Sequence, residues 1–137
     1  MKQTAHQEYD AAENIVYVSF PSVQLETQDE IRAHFDRIIT FWKQHCGGRR
    51  VYYVVNYDNI SVNLQENDFY AAQMKRVLEH AITIVRYGGD PLQRTAARLA
   101  NMKLHAPTRL YESRDEALAV VQSLKAGAPP PPLEPSP

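Results

Sequence analysis

The sequence predicts a single α/β domain: a mixed, mostly parallel sheet of about five strands with helices on its faces, in the order β-β-α-β-α-β-α-β-α. Three observations carry this. Val51-Tyr52-Tyr53-Val54-Val55 is β-branched and aromatic throughout, the composition of a central strand covered on both sides. Two segments open with helix-capping residues and continue with apolar residues at helical spacing. Helices alternate with strands, which demands crossovers, and crossovers of this kind make parallel pairs.

The elements follow in order. Residues 7–20 read as two short strands around the polar turn Asp10-Ala11-Ala12-Glu13-Asn14; Ile15 to Phe20 forms the second, and the first, mostly polar, belongs at a sheet edge. Thr27-Gln28-Asp29-Glu30 is a capping box, and the helix it opens carries Ile31, Phe35, Ile38, Ile39 and Trp42 toward the sheet. His45-Cys46-Gly47-Gly48 closes it, with glycine free to take the left-handed conformation. After the central strand, Asn67 or Asp68 is expected to cap a second helix with Tyr70, Met74, Val77, Leu78 and Ala81 buried. Ile82 to Tyr87 is the next strand, stopped by Gly88-Gly89.

Asp90-Pro91 reads as the N-cap and first residue of a third helix marked by Leu92, Ala96, Leu99 and Met102. Thr108 to Tyr111 is a short strand. Ser113-Arg114-Asp115-Glu116 is a second capping box, ahead of a helix with Ala117, Val120, Val121 and Leu124 inward. Residues 1–6 form an N-terminal tail, 7–125 the domain, and 126–137 a proline-rich tail that is extended and solvated.

With 137 residues, the chain has enough length to bury a core. An apolar content of 44% and a charged content of 23% are ordinary for a soluble protein, and a net charge of −1 gives no electrostatic reason to expect nucleic acid or an anionic membrane. No apolar run approaches the ~18–20 residues of a membrane span, and the first residues lack a signal-peptide core. The single cysteine, Cys46, excludes an internal disulfide framework. The expectation is a cytoplasmic protein.

The candidate site is the polar cluster at the carboxyl end of the central strand, where open α/β sheets place their working groups. It comprises Asn56, Tyr57, Asp58, Asn59 and Ser61, joined by Arg86, Tyr87, Gly88 and Gly89 from the neighbouring strand end. Asp and Asn also satisfy turn amides, so the cluster as a whole, more than any one member, marks a polar ligand or partner surface. Arg86 is a cation at a strand end that can pair with Asp58 across the crevice. Glycines before a helix can hold an anion, but Asp90 supplies its own carboxylate there and no nucleotide-binding spacing is present. His6, His34, His45, His80 and His105 lack metal-site spacing, and Cys46, beside His45 at a helix C-terminus, reads as a plain cysteine. No metal and no cofactor are expected.

Two resemblances meet on these residues. The order of elements and the closing strand–helix unit resemble the SpoIIAA-like, or STAS-like, fold. Much of residues 8–124 also resembles the C-terminal domain of bacterial acyl-CoA:acetate/propionate CoA-transferases. The matching pieces are Glu8-Tyr9-Asp10 with Glu13 to Phe20, Val54-Val55-Asn56-Tyr57-Asp58-Asn59, Arg86-Tyr87, and Leu110-Tyr111-Glu112-Ser113 with Glu116-Ala117. The transferases carry a glutamate nucleophile in a Glu-x-Gly context, which this sequence lacks; attack on a thioester needs that carboxylate. SpoIIAA-like antagonists present a phosphorylatable serine at a helix N-terminus, where this chain has Leu64-Gln65-Glu66-Asn67-Asp68; the nearest hydroxyl is Ser61.

The expected function is therefore that of a non-enzymatic regulatory or adaptor domain, acting through protein–protein interaction at the carboxyl-end rim of its sheet. The alternative is an accessory component of a CoA-transferase-type system that contacts acyl-CoA or a separate catalytic subunit. A third possibility is self-association through a sheet edge or helix face.

Overall fold

The computed structural model describes residues 4–89, 91, 94, 95 and 108–127. The expected third helix, with Asp90, Leu92, Ala96, Leu99 and Met102, and the proline-rich tail from residue 128 lie outside the described residues, apart from helical Pro91, Arg94 and Thr95.

β1 (His6–Asp10) and β2 (Ile15–Ser19) pair antiparallel around a turn whose last residue, Asn14, has a φ of 59°. Asparagine tolerates that left-handed conformation. Its side chain then accepts from the Tyr9 hydroxyl and donates to the Arg50 carbonyl, both at 2.8 Å, so the turn is tied to the chain entering β4 (Val51–Asn56).

The main sheet has five strands in the order β1-β2-β4-β6-β7, where β6 is Ala81–Tyr87 and β7 Thr108–Tyr111. Only β1 runs antiparallel to its neighbour. The valine–tyrosine strand β4 is the middle of the five, and the polar β1 is an edge, as the sequence implies. Ala81 belongs to β6 and not to the preceding helix. The β4–β6 register shifts between Val51 and Tyr52, skipping Ile82, which is left 41% exposed.

Two strands were not expected. β3 (Val23–Leu25) and β5 (Ile60–Val62) form a separate parallel two-stranded sheet. Val23, Leu25 and Ile60 are buried in the main core, and the Val23 amide donates to the Asn59 carbonyl at 2.8 Å. This small sheet joins the segment following β2 to the segment following β4.

Helix α1 (Gln28–His45) begins with the expected capping box: Thr27 Oγ1 accepts from the Glu30 amide, and Glu30 reaches back to the Thr27 amide, both at 3.1 Å. Gly47 and Gly48, at φ 60° and 77°, turn the chain back toward β4. Helix α2 (Asn67–Leu78) departs from expectation. Asn67 is its first residue, its N-cap position is Glu66 without a side-chain bond, and the asparagine that caps is Asn63, which starts the 3₁₀ turn Leu64–Glu66. That turn feeds directly into α2, so the cap moves to its front. Helix α3 (Arg114–Lys125) starts at Ser113, whose hydroxyl accepts from the Glu116 amide at 3.2 Å; Glu116 bonds the Glu112 amide and not the Ser113 amide, so the second box is shifted by one residue.

The alternation of β4 divides the core. Val51, Tyr53, Val55 and Tyr57 face α1 and α2 in the larger cluster, with Val16, Val18, Phe35 and Ile84. Val54 faces the other way, with Ile15 and Val85 against Ala117 and Val121 of α3. Each fully buried valine, isoleucine or phenylalanine contributes about 1.5–3 kcal/mol, so the larger cluster dominates stability.

Candidate functional site

The carboxyl ends of β4 and β6 are joined beyond the strands themselves. The Tyr57 amide donates to the Tyr87 carbonyl at 2.8 Å, one step past the ladder. Asn56 Oδ1 accepts from the Asp58 amide at 2.9 Å, an Asx turn that lifts Asp58 out of the strand. Asp58 Oδ1 in turn accepts from the Gly89 amide at 2.9 Å. Gly88 is required here: at φ 77°, a Cβ would lie 2.8 Å from Asp58 Oδ1 and 3.1 Å from Asn56 Oδ1. Asn59, at φ 66°, reverses the chain into β5.

Asp58 and Asn59 are exposed at this rim, and Asn56, Ser61, Tyr87, Gly88 and Gly89 are half-buried around them. Ser61 lies on β5, opposite Gln24 of β3, so it is part of a strand and not at a helix N-terminus. Arg94 is a further member of this rim. Its Nη1 donates to the Gly88 and Tyr111 carbonyls, both at 3.1 Å, and its Nη2 to Glu112 at 3.3 Å, which ties the glycine loop to the end of β7. A lone arginine in a polar helical segment gives no sequence signal of that role.

Two expected rim residues are elsewhere. Arg86 is only 1% exposed and does not take Asp58 as its partner; its Nη1 donates to the Tyr57 hydroxyl at 3.0 Å, and its guanidinium lies 5.3 Å from the Tyr57 ring centroid. Tyr57 is 5% exposed and shares a 2.9 Å hydrogen bond with Tyr70 of α2, also 5% exposed. The physical reason is the period of two: Tyr57 follows Val55, and Arg86 follows Ile84, on the face that packs under α1 and α2. Burial, and then Tyr57 beside it, push the Tyr70 phenol well above its usual range, with Arg86 acting in the opposite direction. Tyr70 therefore stays protonated.

This interior group borders a cavity of about 30 Å³ between the sheet and helices α1 and α2. Among its walls are Phe35, Ile38 and Met74, with His34. The His34 ring lies between Phe20 and Phe35, with centroids at 5.8 and 5.0 Å, and burial, aided by Arg37, lowers its pKa to about 4, so it is neutral at pH 7.

At the opposite end of the sheet, the Tyr53 hydroxyl lies 2.6 Å from Nε2 of His80, whose ring stacks on Trp42 at 4.1 Å. Burial lowers the His80 pKa to about 4 and pushes the Tyr53 phenol above its usual range, so a neutral phenol faces a neutral imidazole. Cys46 is buried, and that burial raises its thiol pKa against the opposing pull of Arg49. His45 packs on Phe41 at 4.4 Å. Among the described residues, no group of three or more His, Cys, Asp or Glu is arranged to hold a metal ion, and no helix is long and apolar enough to cross a membrane.

A mixed five-stranded sheet, helices on both faces and a loop rim at the carboxyl ends of the parallel strands define a SpoIIAA-like α/β domain. A solved structure agrees: the crystal structure of an uncharacterized protein from the DUF3478 family with a SpoIIAA-like fold, from Shewanella loihica PV-4, superposes with a TM-score of 0.56, covering 87% of this chain and 94% of that one at 14% identity. At that identity the likeness is one of fold. No family model matches the sequence, and no curated protein matches it.

Proposed function

We propose that this chain is a non-enzymatic regulatory or adaptor domain that binds a protein partner through the carboxyl-end rim of its sheet. Asp58 and Asn59 stand at the centre of that surface, flanked by Ser61, Tyr87, Gly88 and Gly89. The observation that carries the reading is the bond from the Gly89 amide to Asp58: it fastens two loops into one preorganised surface, while Tyr57 and Arg86 turn inward. Preorganisation lowers the ordering cost of association. The SpoIIAA-like fold is consistent with such a role.

The test compares captured proteins for the wild type and for Asn59→Arg, which changes an exposed rim residue outside the Asp58–Gly89 link. One protein recovered by the wild type and lost by the variant is the expected result. Identical capture by both, or turnover of a substrate by the purified chain, overturns the proposal. A second reading, an accessory component contacting acyl-CoA, rests on the CoA-transferase resemblance over Val54 to Asn59. Heat of binding with acetyl-CoA would favour it. The Asp58 carboxylate works against it, because it already occupies the Gly89 amide that a phosphate would use.

A further inference from the structure

Strand β1 borders the main sheet, and among the described residues no strand pairs with its outer side. Which backbone groups face outward follows from the ladder, because successive strand residues present their N–H and C=O to alternate sides. The Tyr52 amide donates to the Asn14 carbonyl, so Val16 and Val18 bond toward β4, while Ile15, Tyr17 and Ser19 bond toward β1. Their partners are Asp10, Glu8 and His6. The main-chain groups of Gln7 and Tyr9 therefore point away from the sheet, with no bond to another described residue. Such a row of unpaired groups is a template for another strand. The His6 and Glu8 side chains share one face, 64% and 71% exposed, with His6 Nε2 3.2 Å from Glu8 Oε1.

We propose that β1 pairs antiparallel with β1 of a second copy of this chain, about a two-fold axis at Gln7, so that two five-stranded sheets become one. Charge complementarity selects both the occupant and the register. Centred on Glu8, the pairing would set Glu8 against Glu8; centred on Tyr9, it would set Glu8 against Asp10; centred on His6, it would set the two histidines face to face. Centred on Gln7, it sets His6 against Glu8 twice, the pairing of side chains that this face already makes within one copy. In that register Gln7 exchanges both backbone bonds with Gln7 of the second copy, and Tyr9 does so with Ala5. A two-fold contact consumes the β1 edge of both copies and closes. It uses no rim residue, so Asn59→Arg should leave it intact, and this proposal and the rim proposal fail separately.

The experiment is sedimentation of the full chain over a concentration series, joined to cysteine cross-linking. A reversible monomer–dimer equilibrium is expected. Glu8→Lys, at an exposed position, should weaken it roughly tenfold or more. The double variant His6→Glu with Glu8→Lys should restore it, because each opposed pair again carries opposite charges with the signs exchanged. Gln7→Cys should oxidise to a disulfide-linked dimer, since the axis brings two Cα atoms to about 5.5 Å, within bridging range. The wild type, whose single cysteine Cys46 is buried, should not cross-link. A chain that stays monomeric up to roughly 1 mM overturns the proposal. So does a dimer indifferent to Glu8→Lys, a double variant without recovery, or Gln7→Cys linking no faster than Glu8→Cys.

Discussion

The Asp58 carboxylate accepts from the Gly89 amide at 2.9 Å, across the ends of two adjacent parallel strands. The place where a glycine loop would hold an external anion is thereby filled from within the chain. The same contact makes Gly88 a position where a methyl group collides with Asp58.

Gly88→Ala is expected to destabilise the protein by about 2 kcal/mol, from its positive φ and the blocked approach of Asp58. In an Asp58→Ala background the clash with the carboxylate vanishes, while the 3.1 Å approach to Asn56 Oδ1 and the conformational part stay. Urea unfolding of the two single variants and the double variant should give a non-zero coupling; strict additivity would mean the two residues do not meet.

Stability should fall with acidification. Burial holds the pKa values of His34 and His80 at about 4, against an ordinary value of 6.5. Between those values the unfolded chain binds protons that the folded one refuses, so stability is full above about pH 6.5 and drains away toward pH 4. The contribution of His34 is on the order of 3 kcal/mol across that window. Urea midpoints at pH 7.5, 6 and 5 check this, and His34→Phe should flatten the slope.

Tyr53→Phe removes the hydroxyl 2.6 Å from His80 Nε2 and leaves a buried ring nitrogen without that partner. A loss of about 1–2 kcal/mol is expected, with the fold retained because the Trp42–His80 stack persists. Calorimetric melting measures it; an unchanged midpoint would mean that the contact contributes nothing.

Thr27→Ala should cost about 1 kcal/mol, since it removes half of a reciprocal capping box. Ser113→Ala should cost less: the Thr27 hydroxyl both accepts from the Glu30 amide and donates to Glu30 Oε1, whereas the Ser113 hydroxyl accepts from the Glu116 amide alone among the described residues. Circular dichroism melts of the two variants rank them.

The long apolar pattern of β4 and the Thr27 capping box were legible because local chemistry alone determines them. β3 and β5 were not: three residues each, they exist only because Val23 meets Asn59 and Ile60 across a crossover, and so short a run has no periodicity to read. The site divided the same way. Asp58 and Asn59 stand on the rim as their turn chemistry implies. For Arg86 and Tyr57 charge and polarity point to the rim, but strand alternation, counted two from Ile84 and from Val55, puts both beneath the helices.

The β3–β5 pairing has a mechanical corollary. Because it clasps the chain leaving β2 to the chain leaving β4, neither loop can swing outward alone. A molecule pressing on Asn59 would push against a plate and not a finger. Force applied there would travel through Val23 toward the start of α1, on the far side of the clasp from where it was applied.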